Sequence, residues 1–378
     1  MKLETMRTWA EISLGNLEHN YRALRACAPD SKFLGVVKAN AYGHGAVPVA
    51  RKLEELGADY LAVACLNEAM ELRQAGIRMP ILILGATPEE LAGLVVDYDV
   101  TQTVFTPGLA QALSQAAGVQ GRRAKIHVKV DTGMSRLGLL DHDPAAAARE
   151  VEGLCALPNL EAEGIFTHFA NADGDEAYTM LQFTRFLDTL AELEETYGRK
   201  FEIRHCAASG AVLNYPCTHL DMVRPGVALY GHAPDPSCAG LDEQDLRPAM
   251  TLKSRVAAVR DLPGDTPVSY GCTQRVGRNG GRVAVLPIGY ADGLDRHLSR
   301  GAWSMLVNGR PAPIIGNICM DTCMLDITGI DAREGDPVTI FGAEPGNTVS
   351  DMAAVLKTIP YEIMTSISTR VKRVYTKE

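Results

Sequence analysis

The stretch Phe33-Leu-Gly-Val-Val-Lys-Ala-Asn-Ala-Tyr-Gly-His-Gly45 contains the first strand, turn and helix start of the fold. Residues 34–37 are apolar or glycine, and two of them are β-branched, which is typical of a strand buried on both faces. Lys38 stands where this strand ends, and a helical pattern follows over residues 46–56. Because burial disfavours a charged amine, such a lysine gains the lowered pKa that imine formation or proton abstraction requires. A lysine that extends from the strand end into solvent is the alternative.

Short apolar runs alternate with longer amphipathic runs from about residue 30 to residue 235. This alternation predicts a parallel sheet with crossover helices, and eight units favour a closed (β/α)8 barrel of the TIM type. A doubly wound sheet is disfavoured because the sequence has no Rossmann or Walker glycine pattern. The predicted strands are Leu34–Val37, Tyr60–Ala64, Ile81–Leu84, Val100–Phe105, Lys125–Val130, Leu160–Thr167, Ile203–Cys206 and Met222–Leu229. The predicted helices are Gly45–Leu56, Leu66–Gln74, Glu89–Tyr98, Gly108–Ala117, Pro144–Leu157, Asp175–Tyr197 and a short one from Ser209, with helix-capping pairs at Thr87-Pro88 and Asp143-Pro144.

The pattern changes after about residue 241, where short β-type runs are separated by glycine, proline, asparagine and aspartate. We therefore expect a mostly antiparallel β domain over 241–378 after a barrel over 13–240, with a junction in the loop Ala233–Gly240. Residues 1–12 contain one more strand pattern, which we expect to join the β domain. The predicted β runs are Thr251–Val259, Arg282–Pro287, Ser304–Val307, Ala312–Ile315, Thr322–Ile327 and Pro337–Ile340, with one helix over Val349–Lys357.

Composition excludes several classes of protein. The 378 residues carry a net charge of -9, so the chain has no basic stripe for nucleic acid. No apolar run is long enough for a bilayer, and residues 1–11 lack a signal-peptide core, which predicts no membrane partner and a cytoplasmic location. The nine cysteines are scattered, so we expect reduced thiols and no metal site.

Polar residues stand at the predicted carboxyl ends of five barrel strands, which is where active sites of such barrels lie. Ser209 and the backbone near Gly226 suit a phosphate at the start of a helix. A lysine amine near such a site suggests pyridoxal 5′-phosphate (PLP), with Arg224 donating to the pyridine nitrogen because arginine only donates. The strand-end residues are Lys38, Lys129, Asp131, Arg136, His168, His205, Ser209, Arg224 and Gly226.

The chain resembles the alanine racemase family almost from end to end. Family motifs are matched by Val37-Lys38-Ala39-Asn40-Ala41-Tyr42-Gly43-His44-Gly45, Lys129-Val130-Asp131-Thr132-Gly133-Met134, Arg136-Leu137-Gly138, Thr167-His168-Phe169, Val223-Arg224-Pro225-Gly226, Ser269-Tyr270-Gly271, Gly289-Tyr290-Ala291-Asp292-Gly293 and Ile318-Cys319-Met320-Asp321. The resemblance implies interconversion of L- and D-alanine through a PLP aldimine, which supplies a D-amino acid for peptidoglycan. It also implies a homodimer with shared active sites.

The resemblance assigns a role to each candidate residue. Lys38 is implied to carry the aldimine and to act as the base on the D side, with Tyr270 of the other subunit as the base on the L side. Two bases suffice because racemisation removes a proton from one face of Cα and returns one to the other. Cofactor contacts are implied for Tyr42, His168, Ser209, Arg224, Gly226, Val227 and the position of Thr369; substrate contacts for Arg136, Met320 and Asp321; a carbamylated network lysine for Lys129; and the active-site entrance for Tyr290 and Asp292.

Three positions depart from the family pattern. Thr369 replaces a tyrosine that usually narrows the substrate pocket, which makes serine, or both alanine and serine, an alternative substrate. Asn317 stands where an arginine usually lines the entrance, and Ala208 where an asparagine usually precedes the phosphate serine. Two further alternatives are a PLP-dependent decarboxylase of the same fold class and a PLP-carrier protein without turnover. The contexts of Tyr270 and Arg224 favour racemisation over decarboxylation, and carriers resemble the barrel alone.

Overall fold

A computed structural model describes residues 5–141, 143–234 and 246–377 of the chain. The chain divides into two compact units, one of residues 18–41 and 45–246 and the other of residues 1–17, 42–44 and 247–378. The first is called the barrel unit below and the second the β unit. Most of the predicted junction loop Ala233–Gly240 lies outside the described residues, as does the predicted boundary at residue 240.

The described residues form the following regular elements. The strands are β1 (Thr8–Ser13), β2 (Lys32–Val36), β3 (Tyr60–Val63), β4 (Ile81–Ile83), β5 (Thr101–Val104), β6 (Ala124–Asp131), β7 (Leu139–Leu140), β8 (Leu160–Phe166), β9 (Ile203–His205), β10 (Met222–Val223), β11 (Met250–Arg255), β12 (Ala258–Leu262), β13 (Pro267–Val268), β14 (Gln274–Arg275), β15 (Gly281–Leu286), β16 (Ser304–Val307), β17 (Arg310–Pro313), β18 (Cys323–Asp326), β19 (Pro337–Phe341) and β20 (Lys372–Thr376). The helices are α1 (Leu14–Cys27), α2 (Lys38–Tyr42), α3 (Ala46–Leu56), α4 (Leu66–Gln74), α5 (Ala92–Asp97), α6 (Pro107–Val119), α7 (Pro144–Cys155), α8 (Glu176–Tyr197), α9 (Ser209–Asn214), α10 (Val349–Leu356) and α11 (Pro360–Ser366). Short 3₁₀ segments include Glu89–Leu91, Val227–Tyr230, Tyr270–Cys272 and Tyr290–Asp292.

The barrel unit is a nearly closed parallel barrel. Among the described residues its eight strands follow the order β10, β2, β3, β4, β5, β6, β8 and β9, and the short β7 pairs with β6. A parallel bridge between Ala208 and Arg224 joins the two ends of this order just beyond β9 and β10. The carboxyl ends of the strands therefore lie around one mouth, which carries the predicted strand-end residues.

Close helix–strand packing places the first unit of the barrel. Helix α3 buries Ala46, Val49, Ala50 and Leu53, which share one face at helical spacing. A β-carbon on Gly35 of β2 would lie 2.6 Å from Cδ1 of Leu53, so only glycine lets this helix approach the strand so closely.

The β unit consists of three separate sheets within the described residues. The largest has the order β17, β16, β19, β11, β1 and β20, and its pairs are antiparallel except β1 with β20. The second is the antiparallel sheet β12–β15–β18, and the third is the hairpin β13–β14.

The predicted fold class, a (β/α)8 barrel followed by a mostly antiparallel β domain, is confirmed. Several predicted elements are wrong. The run Met222–Leu229 is a two-residue strand followed by a 3₁₀ segment, because Pro225 has no N–H for a strand ladder and interrupts it. The predicted strand Thr251–Val259 is divided between β11 and β12. Thr87 caps no helix and instead donates from its hydroxyl to the Gln102 side chain at 2.6 Å.

Helices α1 and α11 and strand β20 are among the elements that were not predicted. Helix α1 carries apolar residues at helical spacing, such as Leu17, Tyr21 and Leu24. The predicted elements do not include it, because they go from the strand in residues 1–12 to the strand at Leu34. Helix α11 and strand β20 lie near the end of the chain, where only sequence motifs had been considered.

Candidate active site

The turn that carries Lys38 has an unusual backbone. The segment assigned as α2 has φ angles of 52 to 54° at residues 39–42, so it is a left-handed turn made of non-glycine residues. Each such residue costs about 1–2 kcal/mol relative to a right-handed conformation. Surrounding contacts hold the turn: Glu68 accepts hydrogen bonds from the Ala39 N–H at 2.6 Å and the Ala64 N–H at 2.7 Å. Strain maintained in this way commonly marks a functional site.

The two lysines of the barrel mouth have depressed pKa values. Burial and the nearby Arg136 and Arg224 guanidinium groups lower the pKa of Lys38, against an opposing effect of Glu68. Burial and the same two arginines lower the pKa of Lys129 to about 8. At neutral pH both lysines therefore release a proton more readily than an exposed lysine, as a nucleophilic or basic amine requires.

Arg224 is almost fully buried, with 3% of its surface exposed, and makes a dense set of hydrogen bonds. Its Nη2 donates to the carbonyl of Thr167 at 3.0 Å and to that of Cys206 at 3.1 Å, and it lies 3.2 Å from Nδ1 of His168. Its Nη1 lies 2.9 Å from Nδ1 of His205. Burial lowers the pKa of Arg224 to about 10, which leaves the guanidinium protonated at neutral pH.

The protonation of His168 follows from this contact. Since arginine only donates, Nδ1 of His168 accepts, and the imidazole proton sits on Nε2. Burial and the neighbouring cations, chiefly Arg224 and Lys129, hold the pKa of His168 well below its ordinary value. His168 is therefore a neutral imidazole whose Nε2–H is directed away from Arg224.

A compact anion-binding turn lies beside these groups. Ser209 begins α9, and its Oγ accepts hydrogen bonds from the N–H groups of Gly226 at 2.9 Å and Ala228 at 3.3 Å. The Ser209 hydroxyl proton remains available to an oxygen acceptor. Val227 starts a 3₁₀ segment here, so further backbone N–H groups point out of the turn. This donor set fits the phosphate of PLP, and the lysine and arginine of the same mouth fit its aldehyde and pyridine nitrogen.

Asp131 shapes the loop that carries Arg136. Its carboxylate accepts hydrogen bonds from the backbone N–H groups of Gly133 and Ser135 at 3.0 Å and of Arg136 at 2.8 Å. Burial disfavours its ionisation, but these donors outweigh burial and keep its pKa below the ordinary value. The Arg136 side chain is exposed at the barrel mouth.

The remaining predicted residues lie in the β unit. Tyr270 is 74% exposed and Met320 is 54% exposed, which is unusual for large apolar side chains. Together with Asp321 they line a cavity of about 870 Å³, whose walls come from residues within 260–285 and 319–324. The Asn317 side chain donates to the Tyr270 carbonyl at 2.8 Å and so fixes the backbone of this tyrosine.

A chain of ion pairs supports the segment with Met320 and Asp321. Asp292 is fully buried and lies 2.6 Å from Nη2 of Arg7, and Arg370 lies 3.5 Å from Asp292 and 2.7 Å from Asp321. The N–H groups of Tyr290 and Ala291 donate to the carbonyls of Cys319 and Met320. The predicted entrance residues Tyr290 and Asp292 therefore brace the predicted substrate segment.

Two predicted cofactor residues also belong to the β unit. Tyr42 is buried, its ring lies 5.9 Å from that of Tyr361, and burial raises the pKa of its phenol. Thr369 is exposed in the turn after α11. Thus Lys38, Lys129, Arg136, His168, Ser209, Arg224, Gly226 and Val227 share the barrel unit, and Tyr42, Tyr270, Tyr290, Asp292, Met320, Asp321 and Thr369 share the β unit.

Three residues around the barrel site were missed as candidates: Glu68, His127 and Glu163. The sequence pattern around His127 could have indicated it. Polar residues occupy every second position of β6, namely Lys125, His127, Lys129 and Asp131, which places them on one face of the strand. Glu68 and Glu163 gave no signal beyond that of ordinary charged residues. In the part of the chain that the structure describes, no cluster of His, Cys, Asp or Glu could hold a metal ion.

These features define an enzyme built on a (β/α)8 barrel, with a lysine amine and an anion-binding turn arranged for a phosphate-bearing aldehyde cofactor. Comparison with known families gives the particular kind. Residues 12–234 match the family described as "Alanine racemase, N-terminal domain", and residues 249–375 match "Alanine racemase, C-terminal domain". The chain therefore belongs to the alanine racemase family, whose enzymes depend on PLP and interconvert L- and D-alanine.

Individual relatives agree with this assignment. The chain is 46% identical over 377 residues to alanine racemase 2 of Caldanaerobacter subterraneus subsp. tengcongensis, covering 98% of this chain and 95% of the relative. It is 46% identical over 370 residues to the alanine racemase of Desulfovibrio desulfuricans, covering 97% of each. The structure of alanine racemase from Clostridium difficile 630 has a TM-score of 0.94 at 39% identity, covering 99% of this chain and 97% of that one.

The prediction of a PLP-dependent alanine racemase is confirmed by these comparisons. The serine alternative drawn from Thr369 gains no support from them, since the relatives and structures are alanine racemases. No helix among the described residues is both long and apolar enough to cross a bilayer.

Proposed function

We propose that this alanine racemase uses Lys38 and Tyr270 as its two bases, on opposite faces of the substrate. When bound, PLP withdraws electrons from the substrate Cα and so acidifies its proton. Lys38 holds the cofactor aldehyde and exchanges the proton on the D side, and Tyr270 exchanges the proton on the L side. The lowered pKa of Lys38 supports the first role, because an amine must be neutral to accept a proton.

The remaining contacts hold the cofactor in place. Ser209, Gly226 and Val227 bind its phosphate, and the family resemblance adds contacts from the Tyr42 hydroxyl and from the position of Thr369. Arg224 donates to the pyridine nitrogen and keeps it neutral, because a guanidinium has no acceptor. The burial of Arg224 and its four fixed neighbours support this placement.

Tyr270 acts in the site of a second copy of the chain, so that the enzyme is a homodimer with shared active sites. The observation that carries this proposal is the 74% exposure of Tyr270 beside the exposed Met320. A catalytic base must lie against its substrate in a site closed to bulk water, and a second subunit placed over Tyr270 would provide that enclosure. The 870 Å³ cavity lined by Tyr270, Met320 and Asp321 is a suitable place for a second subunit to bind.

His168 connects this tyrosine with Arg224. Because Nδ1 of His168 accepts from Arg224, its Nε2–H is free to donate to the phenol oxygen of the partner's Tyr270. A donor at that oxygen stabilises the phenolate and makes the tyrosine a better base.

Substrate binding falls to Arg136, whose guanidinium pairs with the amino-acid carboxylate, and to Met320 and Asp321 of the second subunit, which border the substrate. Lys129 supports Arg136 as a carbamate. Its pKa of about 8 leaves a reactive neutral fraction for CO₂, and a carbamate would add an anion to a mouth that holds Lys38, Arg136 and Arg224. Asp131 cannot fill that role, since its carboxylate is used by backbone N–H groups.

We place the enzyme in the cytoplasm, where its D-alanine would serve peptidoglycan synthesis. Support comes from its cysteines, since each one that the structure describes is a free thiol, as expected in a reducing compartment. The family assignment is consistent with a role in cell-wall precursors.

Complementation between two inactive variants tests the shared site. Lys38→Ala and Tyr270→Phe subunits are each purified, mixed after dissociation and assayed for racemisation of L-alanine. If Tyr270 acts across the dimer, each heterodimer has one intact site, and random pairing restores about one quarter of wild-type activity. If Tyr270 acts within its own subunit, no mixed dimer has an intact site and activity stays at background, which would reject the proposal.

A further inference from the structure

A chain of buried side chains runs inside the barrel from Arg224 to Glu163. Nη1 of Arg224 lies 2.9 Å from Nδ1 of His205, and Nε2 of His205 lies 2.9 Å from Nδ1 of His127. Nε2 of His127 lies 3.4 Å from Oε2 of Glu163, which also accepts a short hydrogen bond from the Tyr60 hydroxyl. His127 and His205 have no exposed surface.

The two ends of this chain decide where each proton lies. Arg224 can only donate, so Nδ1 of His205 accepts and the proton of this imidazole sits on Nε2. That proton is donated to Nδ1 of His127, whose own proton therefore sits on Nε2 and is donated to Glu163. A carboxylate only accepts, so each hydrogen bond points from Arg224 towards Glu163. Reversing one link would place two donors or two acceptors against each other.

The charges of the chain are consistent with these assignments. Burial keeps the pKa of His127 below its ordinary value and that of His205 well below it, which favours neutral imidazoles. Burial opposes ionisation of Glu163, but its hydrogen bonds from His127 and Tyr60 prevail and lower its pKa to about 2. Glu163 is therefore the anionic end of a chain whose other end is the Arg224 cation.

We propose that Glu163 and His127 are positioning residues for Arg224, because they lock His205 in the tautomer that accepts from the guanidinium. This inference rests on the proposed function only in that Arg224 faces the cofactor ring. Without the carboxylate, the His127 proton has no acceptor and moves to Nδ1, where it opposes the proton on Nε2 of His205. His205 then takes the tautomer with a proton on Nδ1, and Arg224 loses an acceptor and its fixed orientation.

The first test observes the two tautomers directly in the wild-type enzyme. Nitrogen NMR of the holoenzyme with labelled histidine reports which ring nitrogen carries the proton. We expect both His127 and His205 to be neutral and protonated at Nε2; assignment uses the spectra of His127→Leu and His205→Leu. A proton on Nδ1 of either histidine in the wild type would overturn the proposal, whatever the activity.

Variants then test whether the chain affects Arg224. We expect Glu163→Leu and His127→Leu each to lower kcat by about tenfold, as is typical when a supporting hydrogen bond of a reactive group is lost. Both should change the visible absorption of the bound cofactor. Because they break the same chain, the double variant should lose no more than the worse single variant. Additive losses, or an unchanged spectrum in both single variants, would contradict the proposal.

Two further variants separate positioning from packing. Lys125→Ala removes another partner of Glu163, an exposed ion pair of 3.2 Å that is not part of the chain, and should leave kcat and the spectrum unchanged. Glu163→Gln retains an oxygen that accepts from His127, so it should keep most of the kcat that Glu163→Leu loses. Equal losses of kcat in Glu163→Gln and Glu163→Leu, or a matching loss in Lys125→Ala, would show that kcat does not depend on the direction of these hydrogen bonds and would contradict the proposal.

Arg224→Leu distinguishes the failure of this inference from that of the proposed function. If Arg224→Leu changes the cofactor spectrum and Glu163→Leu does not, only the inference fails. If Arg224→Leu leaves the spectrum unchanged, the proposed contact with the cofactor ring fails, and the histidine tautomers remain as the test of the chain itself.

Discussion

The mouth of the barrel and the exposed face of the β unit present their polar groups in opposite ways. In the barrel, Arg224 is 3% exposed and is held by hydrogen bonds to four neighbouring residues. On the β unit, Tyr270 is 74% exposed and its side chain extends from a backbone that Asn317 holds. The first region is organised within one copy of the chain, whereas the second has its backbone in place and lacks surroundings for its side chains. Binding of the cofactor should therefore depend on the barrel mouth. Proton exchange on the two faces of the substrate Cα should depend on both regions.

Replacement of Tyr270 by phenylalanine should have the largest effect. Loss of one of two bases should lower racemisation by about 10²–10⁴-fold. Lys38 should still exchange the Cα proton of D-alanine with solvent deuterium, whereas exchange from L-alanine should be lost. Proton NMR in D₂O measures both rates.

The matched control is Tyr197→Phe, which alters an exposed tyrosine at the end of α8 and should leave both rates unchanged. Equal loss of exchange from the two enantiomers in Tyr270→Phe would show that the two regions do not act on opposite faces.

Replacement of Ser209 by alanine should weaken the barrel region alone. A hydrogen bond to a charged group contributes about 1.5–3 kcal/mol, so the Kd for PLP should rise by about tenfold to a hundredfold. Titration of the apoenzyme with PLP, followed by absorbance, gives this value. Ser114→Ala removes a buried serine hydroxyl that donates to the Pro158 carbonyl, and serves as the control. An unchanged Kd in Ser209→Ala would remove the anion-binding turn from the site.

The smallest expected change concerns the carbamylation of Lys129 and its dependence on pH. Only the neutral amine reacts with CO₂, and its pKa is about 8. The neutral fraction therefore rises about tenfold from pH 6 to pH 7 and levels off above the pKa. After removal of CO₂, the rate at which a fixed concentration of dissolved CO₂ restores activity should follow this curve. A restoration rate that does not vary with pH, or no loss of activity without CO₂, would contradict the carbamate.

The sequence pattern was sufficient for much of the barrel because strands such as β3 and β4 are fully buried and helices such as α3 bury one apolar side. The predicted helix Leu66–Gln74 has the bounds that the structure gives, and Lys38 begins α2 two positions after the end of β2 at Val36, against a predicted strand end at Val37. The run Met222–Leu229 failed for a physical reason: an apolar run reports burial, and both a buried strand and a buried 3₁₀ segment satisfy it.

Sequence by itself therefore determined the alternation of strands and helices in most of the barrel, the residue types at the strand ends and the family. Tertiary structure alone decided which of those residues meet. His127 and His205 are 78 positions apart, and Glu163 lies 36 positions from His127, so no local pattern relates them. They meet because β8 pairs with both β6 and β9 inside the barrel, where side chains have no water to bond and must satisfy one another. The left-handed turn after Lys38 could likewise not be predicted, since its alanine and tyrosine residues favour other conformations until Glu68 and the surrounding fold hold them.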